Sequence, residues 1–137
     1  MQHEALLYSL DHTITKQQLQ NKEHILYDQQ RYIKMQKRVN EEKIHAIFAT
    51  EHKRFSSIKP QPYIVYYLGD ITLLDKNILG IVGPRKMSEY AKKVVETLFS
   101  YAEGYDIVTI SGMAEGVDQL CHTLSCQQNI PTIAVLG

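Results

Sequence analysis

The sequence predicts an α/β chain in which repeated strand-helix-strand units build a parallel sheet, preceded by a helical N-terminal segment. Three observations carry this expectation. From Ile78 onward, short apolar runs alternate with amphipathic stretches, the pattern of right-handed crossovers. Two of those runs end in small, flexible residues that lead directly into helical periodicity. The composition also changes between Ser56 and Pro62, where Ser56-Ser57, Pro60 and Pro62 stop any helix.

Taken in order, residues 13–55 are polar, rich in Gln, Lys, Glu and His, and free of Gly and Pro. Leu19, Ile25, Leu26, Ile33, Val39, Ile44, Ile47 and Phe48 fall at loosely helical intervals and predict modestly packed helices. Residues 1–58 are therefore read as a helical N-terminal segment and residues 60–137 as a sheet-bearing core. Tyr63 to Leu68 has strand composition, Gly69-Asp70 closes it as a turn, and Leu73 and Leu74 form a short bridge. Strands are expected near 78–82, 106–110 and 132–136, with helices near 88–103 and 116–128. In the first helix Ala91, Val94, Val95, Leu98 and Ala102 form the inward stripe, and Gly104 ends it. In the second, Val117, Leu120, Cys121 and Leu124 do so, with Asn129 and Pro131 as terminators. A strand as apolar as Thr132 to Leu136 is ordinarily flanked on both sides, so a chain ending at Gly137 is expected to be a fragment of a longer product.

Composition narrows the function classes. With 137 residues and 44% apolar content, the chain suits a globular core. Its 15 basic and 15 acidic side chains cancel, which argues against attachment to nucleic acid by bulk charge. The balance is uneven: residues 1–60 carry ten Lys/Arg against seven Asp/Glu, and residues 61–137 five against eight. Any polyanion contact in the second half therefore rests on a few placed groups. Lys34, Lys37, Arg38 and Lys43 read as a solvated helix surface, and the six histidines lack ligand spacing, so no metal is expected. Cys121 and Cys126 lie five apart on one helix, point to different faces, and read as reduced packing residues. Neither a signal peptide nor a run of about 18 apolar residues is present, and a cytoplasmic protein is expected.

The two strand-to-helix junctions are the candidate site. In the first, Gly83 permits a tight exit, Pro84 fixes the backbone, and Ser88 caps a helix whose N-terminus attracts anions. Arg85, beside Lys86, offers a guanidinium able to grip a phosphate through two parallel hydrogen bonds; the competing reading is a salt bridge to Glu115. In the second, Ser111, Gly112 and Gly116, with Met113 and Ala114 between them, suit a nest of backbone amides around an anion. Asp118 and His122, at i and i+4, are expected to pair and support the loop, a reading favoured over acid-base chemistry. Neither junction carries G-x-G-x-x-G or G-x-x-x-x-G-K-[ST], so a dinucleotide or ATP has no fingerprint here, and no cofactor is expected. No nucleophile with an adjacent base is identifiable, which predicts a protein without catalytic residues.

These residues resemble the DNA-processing protein A family (DprA, also called Smf). Its members carry G-[TS]-R-x-x-S-x-Y-G after a strand, then S-G-x-A-x-G-[IV]-D-x-x-x-H, then a T-I-A-V-L-G strand. Gly83 to Ala91, Ser111 to His122 and Thr132 to Gly137 match in order and spacing, and Tyr63 to Leu74 is similar to the family's lead-in. The resemblance covers residues 60–137. It implies a three-layer Rossmann-like core that binds single-stranded DNA without hydrolysis, in DNA uptake during natural transformation. It also implies loading of a RecA-type recombinase and a homodimer, and no membrane association. By the same resemblance Arg85 contacts DNA, while Gly83, Ser88, Ser111, Gly112 and Gly116 build the phosphate pocket, flanked by Pro84, Lys86, Met113 and Ala114. The sequence departs from the pattern at Pro84, which removes a hydroxyl donor, at Ala91, which stands for Gly, and at Glu115, which repels phosphate.

Two other readings compete. A nucleotide hydrolase of the lysine-decarboxylase-like (LOG) type shares the sheet and loop style, but its P-G-G-x-G-T-x-x-E segment is absent from the chain. A nucleotide-binding sensor module would use the same sheet edge for a mononucleotide and signal through the N-terminal helices.

Overall fold

Main-chain pairing in the chain is of two kinds, antiparallel before Gly69 and parallel after it, and a computed structural model describes residues 37–136. The chain divides into two compact units at Gly69-Asp70. The helices expected for residues 13–36 lie outside the described residues.

In the first unit, residues 37–41 are helical, and Lys43, at φ 52°, turns the chain out of that helix. Strand β1 (His45–Phe48) follows and pairs antiparallel with β2 (Ile64–Tyr67), His45 opposite Tyr67 and Phe48 opposite Ile64. The sequence predicts a helix over 45–48, and a strand forms instead. The short run His-Ala-Ile-Phe fits either period, and the ladder to a strand of strong β composition decides it. His45 stacks on Tyr67 at 5.3 Å between ring centroids, and Phe48 meets Tyr63 edge-on at 5.5 Å. Between the strands lie a 3-10 turn (Ala49–Glu51) and the short helix α1 (Lys53–Ser56), which ends where the Ser and Pro residues begin.

Burial pushes the Tyr66 phenol from its ordinary 10.0 up to about 12. A raised value in the folded state means that this stabilising contribution is fully present below the unfolded value and is lost as pH rises through about 12. In an alkaline titration of phenolate absorbance, a late-ionising component is expected in wild type and its loss in Tyr66→Phe. A late component that persists unchanged in Tyr66→Phe would show that it does not come from Tyr66.

In the second unit, Asp70 caps a 3-10 turn (Ile71–Asp75) by accepting from the Thr72 amide at 2.9 Å and its hydroxyl at 2.7 Å. These two bonds hold the Asp70 carboxyl below its ordinary value. Strands β3 (Asn77–Gly80), β4 (Ile107–Gly112) and β5 (Thr132–Val135) then form a parallel sheet in that order. Helix α2 (Glu89–Ala102) joins β3 to β4, and α3 (Val117–Gln127) joins β4 to β5. Consecutive strand order with crossovers of one hand puts both helices on the same face, where they pack together.

Local chemistry sets these ends. Ser88 Oγ accepts from the Ala91 amide at 3.2 Å, and Glu89 adds negative charge to the first turn of α2. Gly104, at φ +84°, takes the left-handed position after α2, as Asn129 does at φ 55° after α3. The core under the helices is Ile81, Val95, Phe99, Val117 and Cys121, with Leu79, Met87, Leu120, Leu124 and Ile130 packed against it. Val94 and Leu98, expected inward, are exposed; Phe99 takes the inward position instead, and its bulk sets the rotation of α2. Cys121 is buried and Cys126 exposed, both free thiols. Among the described residues no helix is long and apolar enough to cross a membrane.

Candidate nucleic-acid interface

The parallel sheet brings the ends of β3 and β4 side by side, so the two loops that leave them meet. The ladder continues past β3, with the Ile81 amide donating to the Ile110 carbonyl at 3.0 Å. Ser111, buried, donates its hydroxyl to the Ile81 carbonyl at 2.6 Å, a tie between the two strand ends. That hydroxyl is therefore turned into the fold, and Ser111 serves the loop by fixing its root.

Beyond the strands the contact is between backbones. Gly116 has φ +84°, and a Cβ there would fall on the carbonyl oxygens of Pro84 and Arg85 and 2.8 Å from the Arg85 carbonyl carbon. The Val117 amide, first of α3, donates to the Pro84 carbonyl at 3.4 Å. Gly83 sits over Val117, whose Cγ2 would be 2.6 Å from a Cβ at that position. Glycine is thus required at both ends of this junction by close approach, and at Gly116 by conformation as well.

The groups left facing solvent are of two sorts. Arg85 and Lys86 are exposed and form no ion pair with any described residue, so the alternative bridge from Arg85 to Glu115 is not made. In the second loop none of the backbone N–H groups of residues 114–116 is taken up by another described residue, nor are those of Glu89 and Tyr90 at the start of α2, whereas the Met113 amide faces β5 at the end of the ladder, where Gly112 pairs with Val135. Met113 is exposed and Ala114 half-buried. Cations thus stand on one loop and unpaired amides on both, the combination that suits a phosphate. Three carboxylates oppose it: exposed Glu89 in the first turn of α2, exposed Glu115, and Asp118, 9% exposed in the first turn of α3.

Asp118 and His122 do not pair. The Asp118 carboxylate packs under Gly112, where a Cβ would come 2.6 Å from its Oδ2. His122 instead bonds the Gly112 carbonyl through Nε2 at 2.7 Å and the Thr132 hydroxyl through Nδ1 at 2.8 Å. The sheet offers the ring two fixed, partly buried partners, and these win over a carboxylate one turn away on the same helix. Thr132, with Thr109 and Ser125 behind it, is a part of the site that sequence reasoning misses. The available signal is hydroxyl residues on otherwise apolar parallel strands, since a buried hydroxyl requires a partner.

Burial pushes the Cys121 thiol above its ordinary value, so it remains protonated. Among the described residues no three His, Cys, Asp or Glu side chains gather to hold a metal.

Fold and site together define a Rossmann-like α/β protein whose sheet edge presents two interlocked loops suited to an anion. A family model described as DNA recombination-mediator protein A matches residues 45–137, and the chain belongs to that family. It is 34% identical over 82 residues to the DNA processing protein DprA of Streptococcus pneumoniae (strain ATCC BAA-255 / R6), covering 60% of this chain and 29% of that protein. To the DNA processing protein DprA of Bacillus subtilis (strain 168) it is 37% identical over 82 residues, covering 59% of this chain and 28% of that one. The solved structure of DNA processing protein A from Streptococcus pneumoniae superposes with a TM-score of 0.63 at 27% identity, over 78% of this chain and 40% of that one. The chain therefore spans under a third of the length of the curated relatives it matches.

Proposed function

We propose that residues 60–137 hold the sugar-phosphate backbone of single-stranded DNA along the crest formed by the loops after β3 and β4, without cutting it. The observation that carries this reading is the backbone contact of Gly116 with Pro84 and Arg85, which sets two exposed cations beside a row of free amides. Phosphate contacts of this kind position a strand without reading its sequence. Arg85 is the principal phosphate ligand. Lys86 adds charge, and Gly83, Pro84, Ser88, Gly112, Met113, Ala114 and Gly116 shape the pocket. A non-catalytic role is supported by Ser111, whose hydroxyl is directed inward, and by Cys121, which is buried. The place of such binding is DNA uptake and recombination in the cytoplasm, with a RecA-type recombinase as the receiving partner and a homodimer as the working form.

The test is fluorescence anisotropy of a labelled oligonucleotide with wild type and Arg85→Ala across a salt series. Arg85→Ala is expected to weaken binding roughly ten-fold or more, the worth of charge-assisted hydrogen bonds. It should also flatten the slope of log affinity against log salt by about 0.7, one phosphate contact on a single strand. Glu115→Gln is expected to strengthen binding. Equal affinity and equal slope for wild type and Arg85→Ala would remove Arg85 from the interface, and binding of a mononucleotide but no oligonucleotide would replace DNA as the ligand.

A further inference from the structure

The polar groups buried between α3, β4 and β5 are bonded to one another in a single chain. A carbonyl oxygen only accepts, so the 2.7 Å contact of His122 Nε2 with the Gly112 carbonyl puts a hydrogen on Nε2. Thr109 Oγ1 donates to Thr132 Oγ1 at 2.8 Å, which leaves the Thr132 hydrogen for His122 Nδ1, 2.8 Å away. Because the Thr109 hydrogen is committed to Thr132, the single Ser125 hydrogen is shared as a three-centre bond between Thr109 Oγ1 at 2.7 Å and the Cys121 carbonyl at 2.8 Å, and this closes the far end. Thr109 and Ser125 are wholly buried. Neither β4 nor β5 carries a charged side chain, and the other ionisable groups on α3 are Asp118, Cys121 and the exposed Cys126. The series therefore runs in one direction, from Ser125 through Thr109, Thr132 and His122 to the carbonyl of Gly112, the residue from which the second loop departs.

We propose that His122 is a positioning residue for that loop. The hydroxyl series fixes the ring as the neutral Nε2–H tautomer, and Nε2–H holds the Gly112 peptide so that the loop leaving it keeps the amides of residues 114–116 presented to solvent. A peptide held by its carbonyl has its plane set, and with it the direction of the next N–H. The consequence for ligand affinity rests on the DNA-binding reading above; the latch itself is a property of the chain alone.

The test uses the full 137-residue chain, labelled with nitrogen-15, at a pH above the ordinary imidazole range. Long-range proton-nitrogen correlation is expected to show His122 protonated at Nε2 and bare at Nδ1. Thr132→Val removes the donor to Nδ1 and is expected to shift the Gly112 and Met113 amide resonances. Oligonucleotide affinity should fall roughly five- to ten-fold, the net worth of one oriented hydrogen bond. Thr132→Ser restores the hydroxyl and is expected to restore both readouts, which a mere loss of packing volume would not do. An Nδ1–H tautomer in wild type overturns the proposal whether or not the valine variant folds, as do unmoved loop amides in a folded Thr132→Val. If wild type binds no oligonucleotide while the tautomer and amide shifts follow expectation, the DNA reading fails and the latch stands.

Discussion

Gly116→Ala is expected to separate the two loops and abolish whatever binding their crest supports. The added methyl would occupy the space of the Pro84 and Arg85 carbonyl oxygens. Backbone there cannot swing aside as a flexible side chain does, since Pro84 is fixed in φ and the Pro84 carbonyl also holds the Val117 amide. Conformational strain at φ +84° costs roughly 1–3 kcal/mol and forced displacement of packed neighbours a further 1–3 kcal/mol. For a unit of this size that corresponds to a fall in Tm of roughly 10 °C or more. Gly69 and Gly104 supply the control: both have positive φ, +89° and +84°, and a Cβ added at either would meet nothing within 4 Å. Gly69→Ala and Gly104→Ala are expected to carry the strain alone, about 1–2 kcal/mol, with oligonucleotide binding retained. Thermal melts and anisotropy on the three variants separate the two contributions. A Gly116→Ala protein as stable and as competent as Gly104→Ala would mean that the loops do not touch.

Phe99→Ala is expected to remove most of the stability of the second unit. Phe99 is 1% exposed and lies among Ile81, Val95, Val117 and Cys121, between α2 and the sheet. Truncating a buried phenylalanine costs about 3–5 kcal/mol through lost transfer energy and the cavity left behind. Domains are stable by about 5–15 kcal/mol in all, so this single change takes the unit close to unfolding. Chemical denaturation monitored by circular dichroism should show the midpoint falling sharply for Phe99→Ala and little for Leu98→Ala, whose side chain is 39% exposed. Equal losses from the two would mean that Leu98 is buried as deeply as Phe99, as the stripe read from the sequence requires.

The rotation of α2 shows where sequence reading reaches its limit. The strand-helix alternation was legible because each boundary has a local cause: the Ser88 cap, the left-handed Gly104, and Asn129 with Pro131. The angle at which a helix meets the sheet is decided by side-chain volume against a surface distant in sequence, and Val94, Val95, Leu98 and Phe99 offer two nearly equivalent stripes. The strand His45–Phe48 was hidden for the same reason, since its evidence is a partner at Ile64–Tyr67. In the site, glycine, proline and arginine marked the two strand-to-helix junctions, and the parallel register sets those junctions side by side. The expected Asp118 and His122 pair rested on helical spacing alone; the ring's actual partners, Gly112 and Thr132, come from two different strands.

The joining of Gly116 to the Pro84-Arg85 peptide has an entropic consequence. Gly116 has no side chain and Pro84 is a ring closed on its own backbone, so the backbone of the joint has little freedom left to lose. For a polyphosphate arriving at such a lip the backbone is already set, and the ordering cost is confined to the exposed Arg85 and Lys86 side chains. Electrostatic attraction from only two cations can then suffice in a chain whose formal charge is zero.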